Sequence, residues 1–245
     1  MKQVILTVKE NTPIAREVYR MVLTGDTSAV TVPGQFINLT LDGKFLRRPI
    51  SVCDCDGDEV TILYKVVGQG TAQMAAMAPG TAVDTLTGLG NGFDCTAAHG
   101  RTLLIGGGIG AAPLYWLAWS LKARGIETTA VLGFNSAADM YYVNEFSALC
   151  DQCLVATADG SHGVRGFVTD AMAGLDYDYF YACGPEPMLK AVWKCSRSDG
   201  ELSFEERMGC GFGACMGCTC RTLTGWKRIC KDGPVLRKGE IAWAD

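Results

Sequence analysis

The cysteines near the end of the chain constrain its fold most strongly. Five of the twelve cysteines in the 245-residue sequence lie between residues 210 and 230, in a glycine-rich segment. Their spacing is Cys210-x4-Cys215-x2-Cys218, followed by Cys230. Thiolates that converge on one group need a tightly wrapped loop, and glycine allows the positive φ angles of such a loop. This spacing is typical of plant-type [2Fe–2S] centres, so it predicts these four cysteines as cluster ligands.

A structural zinc site is the alternative for this segment. Zinc motifs usually combine two short C-x2-C pairs, whereas here three cysteines cluster and one stands apart. The spacing therefore favours the iron–sulfur cluster. Cys220 leaves the third ligand open, because it could replace Cys218 or remain free. The two widely spaced histidines, His99 and His162, argue against a histidine-rich zinc site.

Charge and hydropathy exclude several other classes of protein. A net charge of −4 offers no basic surface for nucleic acid. Met1–Glu10 alternates like a strand and lacks the apolar core of a signal peptide, so we expect a cytoplasmic protein with reduced cysteines. The stretch from Leu103 to Leu121 is uncharged, but its glycines and proline predict a strand, a turn and a helix instead of a membrane span.

Residues 1–98 are predicted to form an antiparallel β barrel. Short runs rich in Val, Ile, Thr and Leu alternate with turn residues, and one helical piece interrupts them at Thr71–Met77. The predicted strands are Val4–Val8, Val18–Leu23, Phe36–Leu41, Ile50–Asp54 and Val60–Val66.

Residues 99–197 change to strand–helix alternation, which predicts a doubly wound parallel sheet. Residues 198–245 are predicted to form a small cluster-binding region. The predicted strands of the middle region are Arg101–Ile105, Thr128–Phe134, Cys153–Ala158 and Tyr177–Cys183, with helices at Ile109–Arg124, Val143–Leu149, Phe167–Ala173 and Glu186–Ser196.

A glycine turn follows the first strand of this middle region. Gly106–Ala111 fits the pattern G-x-G-x-x-A, and the helix that follows offers its N-terminus to a pyrophosphate. Gly107, Gly108 and Gly110 are therefore candidate nucleotide-binding residues. No acid follows the second strand to hold a ribose, so the site departs from the usual fingerprint. Cys183-Gly184-Pro185 ends a later strand, where either a ligand site or a plain turn is possible.

Two strings in the barrel region could bind phosphate and a flavin ring. Arg48-Pro49-Ile50-Ser51 combines a guanidinium with a hydroxyl. Gly70-Thr71 precedes a short helix whose N-terminus could hold a second phosphate. Neither string alone indicates a phosphate or flavin site, because an Arg-Pro-x-Ser string is often only the start of a surface strand.

Taken together, these strings resemble the ferredoxin–NADP⁺ reductase superfamily and, within it, the electron-transfer subunits of type B dihydroorotate dehydrogenases. The resemblance covers nearly the whole chain. The elements that carry it are Arg48–Ser51, Leu63-Tyr64-Lys65, Gly70-Thr71, Gly90–Phe93, Gly106–Pro113, Asp159–Ser161, Cys183–Pro185 and Glu206–Gly211.

The resemblance implies cofactors, a partner and residue roles. FAD would be held by Arg48, Pro49, Ile50, Ser51, Leu63, Tyr64, Lys65, Gly70 and Thr71. Cys183 would lie near the nicotinamide as the catalytic residue. FAD would convert the two electrons of NADH into single electrons for the cluster. The acceptor would be an FMN-containing catalytic subunit of pyrimidine synthesis, in a heterotetramer of two copies of each subunit, and NAD⁺ would be reduced in the physiological direction.

Some alternatives stay open at this point. A chain with the same domain organisation could transfer electrons to another partner, as the small subunit of an NADH–ferredoxin transhydrogenase or a sulfide dehydrogenase. A zinc-stabilised nucleotide-binding regulator is a rival of another class. Phe212, Met216 and Trp226 could form either the partner surface or a local core. The sequence assigns no role to Cys53 or Cys55 and does not decide between NADH and NADPH.

Overall fold

A computed structural model describes residues 1–243 of the chain. Residues 244–245, the end of the predicted cluster region, lie outside the described residues. The fold consists of a closed barrel, a seven-stranded sheet and a two-stranded hairpin. This agrees with the predicted fold class, a β barrel followed by an α/β region.

The barrel is antiparallel and has six strands in the order β1-β2-β5-β4-β3-β6. Its core is filled by alternate side chains of these strands, among them Leu6, Val8 and Ile62, which are fully buried. The elements are β1 Lys2–Ala15, β2 Val18–Thr24, β3 Phe36–Leu39, β4 Arg48–Asp56, β5 Glu59–Lys65, α1 Gln69–Ala75 and β6 Ala82–Leu89. The sixth strand, β6, was not predicted from the sequence.

The second sheet is parallel except for its last strand, in the order β10-β9-β8-β7-β11-β12-β15. The central strands are almost fully buried because helices cover both faces. The strands are β7 Arg101–Gly107, β8 Glu127–Phe134, β9 Gln152–Thr157, β10 Val164–Arg165, β11 Tyr179–Cys183, β12 Asp199–Ser203 and β15 Val235–Arg237. The helices are α2 Ala112–Ala123, α3 Val143–Leu149, α4 Val168–Ala171 and α5 Glu186–Cys195.

The sheet extends past residue 197. Both β12 and β15 belong to it, although they lie in the residues predicted for the cluster region. Between them, β13 Thr219–Thr222 and β14 Gly225–Arg228 form a separate antiparallel hairpin. The division of the chain at residue 197 stays a prediction.

The barrel and the sheet share one apolar core. Val18, Cys53 and Leu63 on the outside of the barrel pack with the buried face of α2. Cys53, to which the sequence assigned no role, is therefore a core residue at this contact. Across residues 1–243, no helix combines the length and the hydropathy needed to cross a membrane.

Candidate functional site

Three predicted cluster cysteines, Cys210, Cys215 and Cys218, lie in the loop between β12 and β13, and main-chain N–H groups are directed at their sulfurs. The fourth, Cys230, follows the β13–β14 hairpin. Ala214 and Cys215 donate to Cys210 Sγ at 3.2 and 3.4 Å. Cys230 donates to Cys218 Sγ at 3.4 Å. Although desolvation opposes the shift, these N–H groups lower the pKa of Cys210 to about 6. The loop therefore already stabilises a thiolate at the first ligand position.

The cysteines approach one another in two pairs, Cys210 with Cys215 and Cys218 with Cys230. Burial raises the pKa of Cys230 to about 12, and the neighbouring Cys218 adds to the rise. Within the described part of the chain, no group of three or more His, Cys, Asp or Glu side chains is arranged to hold a metal ion. The structure thus brings the four cysteines near one another in pairs, and their role as cluster ligands stays a prediction.

Cys220, the residue that left the third ligand open, lies on β13 and also lines a separate cavity of 250 Å³ together with Trp243. Cys218 and Cys230 are buried in one apolar cluster, and Cys210 and Cys220 both pack against that cluster. The choice of Cys218 as the third ligand therefore stays a prediction.

A cleft of 580 Å³ opens at the carboxyl ends of the parallel strands. This is the edge at which open α/β sheets bind nucleotides. The predicted residues Gly107, Gly108 and Gly110 all line it. Further lining residues are Arg16, Lys65, Phe134, Asn135, Asp139, Ala158, Gly184, Pro185, Met188 and Glu205.

Gly110 shows why this turn requires glycine. A Cβ atom at Gly110 would lie 2.4 Å from the main-chain oxygen of Cys183. The turn after β7 therefore packs directly on the end of β11, and only a residue without a side chain allows this approach.

The predicted catalytic residue, Cys183, lies behind the cleft wall. Its side chain is buried among apolar residues, and the cleft is lined by the adjacent Gly184. Burial raises the pKa of its thiol, and the nearby Glu205 adds to the rise. Cys183 is therefore a neutral thiol at neutral pH, and its catalytic role stays a prediction.

A second cavity, of 350 Å³, runs along the outside of the barrel and is named here the flavin cavity. Its walls include most of the predicted flavin residues. Those residues are Arg48, Pro49, Ile50, Ser51, Leu63, Tyr64, Lys65 and Thr71. Tyr64 contributes to the wall, while its ring lies in the barrel core and its hydroxyl donates to Asn11 at 2.8 Å.

The phosphate end of this cavity is formed by Arg48 and the turn before α1. A Cβ at Gly70 would lie 2.3 Å from Arg48 Nε, so the guanidinium occupies the space that glycine leaves. Thr71 Oγ1 accepts the N–H groups of Val67 and Gly68 at 2.9 and 3.2 Å and shapes this turn. A guanidinium beside a helix N-terminus fits a bound phosphate.

The flavin cavity and the nucleotide cleft share part of their walls. Lys65, Ile109 and Glu205 line both. Glu205, which is exposed, also lines the cavity beside Cys220. Sequence reasoning missed this residue, because the acid in Glu205-Glu206-Arg207 has the pattern of a solvated surface.

On its other side, the flavin cavity adjoins the cluster loop. Phe36 of β3 lines the flavin cavity and packs in the same apolar cluster as Cys218 and Cys230. Met208, two residues before Cys210, also lines the flavin cavity, so the nucleotide cleft, the flavin cavity and the cysteine loop adjoin one another. The residues present fit NAD, FAD and an iron–sulfur cluster in that order.

Comparison with protein families agrees with this geometry. Residues 205–242 match the iron–sulfur cluster binding domain of dihydroorotate dehydrogenase B. Residues 104–194 match the oxidoreductase NAD-binding domain. The two matches cover the cysteine loop and the parallel sheet with its glycine turn.

Curated relatives match along nearly the whole chain. The electron transfer subunit of dihydroorotate dehydrogenase B (NAD(+)) from Geobacillus sp. (strain WCH70) is 43% identical, over 98% of this chain and 99% of its own length. The protein of the same name from Fusobacterium nucleatum subsp. nucleatum is 42% identical over 96% of both chains.

Among solved structures, an NADH-dependent reduced ferredoxin-NADP oxidoreductase superimposes with a TM-score of 0.88. It is 31% identical and covers 98% of this chain and 90% of its own length. An Amycolatopsis cytochrome P450 reductase is 26% identical, with a TM-score of 0.68 over 79% of this chain and 65% of its own.

These comparisons do not favour the zinc-stabilised regulator or the other oxidoreductase partners. They confirm the predicted oxidoreductase class, with FAD, an iron–sulfur cluster and NAD as cofactors. With relatives above 40% identity along nearly its whole length, the chain belongs to the family of electron transfer subunits of dihydroorotate dehydrogenase B.

Proposed function

We propose that this chain carries electrons between NAD(H) and a catalytic subunit that oxidises dihydroorotate to orotate in pyrimidine synthesis. The observation that supports it most directly is the shared walls of the three sites. Lys65, Ile109 and Glu205 line both the nucleotide cleft and the flavin cavity, and Met208, which also lines the flavin cavity, lies two residues before Cys210. Bound FAD exchanges hydride with NAD(H) and single electrons with an iron–sulfur cluster.

The chain's own residues bind and orient these groups. Gly107, Gly108 and Gly110 let the nucleotide approach the main chain, while Arg48 and the turn at Gly70 hold a phosphate of FAD. Pro49, Ile50, Ser51, Leu63, Tyr64, Lys65 and Thr71 form the rest of the flavin wall. Cys210, Cys215, Cys218 and Cys230 are the proposed ligands of a [2Fe–2S] cluster. Cys183 supports the nicotinamide end of the cleft from behind.

The proposed partner is an FMN-containing catalytic subunit, in a heterotetramer of two copies of each chain. Its docking surface includes the cysteine loop. Phe212, Met216 and Trp226 beside this loop are 42%, 54% and 72% exposed, which favours an interface over a local core. NAD⁺ is reduced in the physiological direction.

We also propose that the protein is cytoplasmic. All twelve cysteines are free, which fits a reducing compartment.

The test is reconstitution with the candidate catalytic subunit. Dihydroorotate-dependent reduction of NAD⁺ should require both chains. In the Cys215→Ser variant, NADH should still bleach the flavin absorbance while electron exchange with the partner is lost. Unchanged exchange in a variant that holds no iron would contradict the assigned route.

A further inference from the structure

The outer face of β3 separates the flavin cavity from the cysteine loop. Phe36 and Asn38 lie on this face because side chains two residues apart share one side of a strand. Ile37, between them, belongs to the barrel core. Phe36 forms the apolar part of the contact between β3 and the cysteine loop, and Asn38 forms its polar part.

Asn38 connects the barrel to the main chain of a proposed cluster ligand. Its Nδ2 donates to the carbonyl oxygen of Cys210 at 3.3 Å. The barrel fixes Asn38 in turn, because Arg47 Nη1 donates to the Asn38 carbonyl oxygen at 3.3 Å. Arg47 is itself held by Asp84, with 2.7 Å between Nη2 and Oδ2.

The loop is shaped to reach this side chain. Gly211, which follows Cys210, has a φ of +81°, and a Cβ there would lie 2.4 Å from Asn38 Nδ2. A larger residue at position 211 would push the loop away from the barrel. The close approach therefore depends on both residues.

The second polar atom of Asn38 has no role in the stability of the barrel. Asn38 is 1% exposed, and its Oδ1 has no hydrogen-bond partner among residues 1–243. A buried acceptor without a partner is unfavourable, and an apolar residue of the same size would avoid that cost. An asparagine at this position is better explained by its contact with the loop.

We propose that Asn38 is a positioning residue for the cluster, which anchors the main chain of Cys210 to the flavin-binding barrel and so fixes the cysteine loop relative to the flavin cavity. The inference rests on the proposed function, because it takes Cys210 to be a cluster ligand. Hydrogen bonds around ligand residues commonly hold a metal site in place, and their loss weakens it by about tenfold or more.

The test compares Asn38→Leu with the wild-type chain, each loaded with FAD and cluster and bound to its catalytic subunit. Leucine keeps the volume and removes the donor. We expect iron release to a chelator to become about tenfold faster, and the EPR spectrum of the reduced cluster to change. The temperature of flavin release should change little, because removal of the unpaired buried oxygen offsets the loss of the hydrogen bond to Cys210.

Asn11→Ala is the matched control. Asn11 Nδ2 also donates to main-chain oxygens, of Met74 at 2.9 Å and Met77 at 3.0 Å, but these belong to α1 and the turn after it and not to the cysteine loop. This variant should lower the temperature of flavin release and leave iron release unchanged. Wild-type iron release and an unchanged EPR spectrum in Asn38→Leu would overturn the inference. Wild-type protein without iron and sulfide would instead overturn the proposed function.

Discussion

The walls of the nucleotide cleft come from the ends of regular strands, whereas the cysteine loop between β12 and β13 contains almost no regular structure. In the cleft, main-chain packing such as that of Gly110 on Cys183 sets the shape. In the loop, N–H groups aimed at sulfurs and left-handed residues such as Met216, with a φ of +61°, set it. The cleft is therefore built by folding alone, while the loop depends on what its thiols bind.

Replacement of one ligand should give the largest effect and separate the two regions. We expect Cys218→Ser to lose the cluster and electron exchange with the partner, while NADH still reduces the flavin. Cys220→Ser is the matched control and should keep iron, sulfide and activity, because Cys220 lines another cavity. Iron and acid-labile sulfide assays check this prediction. The opposite result, loss of the cluster with Cys220→Ser only, would move the third ligand to position 220.

The stability of the chain should depend on pH through β12, the strand that precedes the cysteine loop. Glu201 lies in the middle of β12, and burial raises its pKa from 4.5 to about 7. The hydrogen bond that it accepts from the Asp94 N–H lowers the pKa, but by less than burial raises it. The folded chain therefore holds this proton more tightly than the unfolded chain, so stability falls as pH rises from 4.5 to 7. A shift of this size corresponds to about 3 kcal/mol.

Glu201→Gln should remove this dependence. Glutamine can still accept the N–H of Asp94, which Glu201 accepts at 3.0 Å. We expect the variant to be more stable than the wild type at pH 8, by up to about 3 kcal/mol, and equally stable at pH 4. Urea unfolding across this range measures both. Parallel curves for the two proteins would show that Glu201 does not titrate between these values.

The rigidity of the cleft can be tested by adding one methyl group. Gly110→Ala should force the turn away from Cys183, weaken NADH binding and destabilise the chain by about 2 kcal/mol. Gly239→Ala is the control, because a Cβ there meets no atom within 4 Å. Denaturant unfolding and NADH titration measure the two effects. Normal NADH binding by Gly110→Ala would mean that the cleft adapts as readily as the loop.

The smallest effect is expected at the contact between the barrel and the cleft. Arg16 Nε and Nη2 donate to the Asp139 carboxylate at 2.9 and 2.7 Å. Since Arg16 is 57% exposed, a double-mutant cycle of Arg16→Ala and Asp139→Ala should give a coupling below about 1 kcal/mol. A much larger coupling would show that this pair holds the barrel and the nucleotide cleft together.

The sequence predicted the cleft and the loop well because each carries its signal in adjacent residues. The glycines at 106–110 and the cysteine spacing are local patterns. Gly107, Gly108 and Gly110 line the cleft, while the roles of the glycines and the cysteines stay predictions. The strands β6, β10, β12, β13, β14 and β15 were not named from the sequence. For two of them, β6 and β12, the physical reason is clear. β6 buries Thr85 and Thr87, and β12 is short and carries the buried Glu201, so neither has the apolar alternation of an ordinary strand.

Residues that act across the fold gave no local signal. Glu205 lies in a run of charges, and only the folded chain brings it to the junction of the cavities. Asn38 lies in the apolar run Phe36–Leu41, and its partner is 172 residues away. Such contacts depend on tertiary structure, which sequence periodicity does not encode.

Anaerobic titration with NADH, followed by flavin absorbance and by EPR of the cluster in one sample, tests the central claim most directly. Electrons from NADH should appear in both cofactors of the wild-type chain, and in the flavin alone once Cys218 is replaced by serine. The opposite result would be a cluster that stays oxidised while NADH fully reduces the flavin, although the reduction potential of the cluster lies within the reach of NADH. That result would contradict the continuous route from cleft to loop.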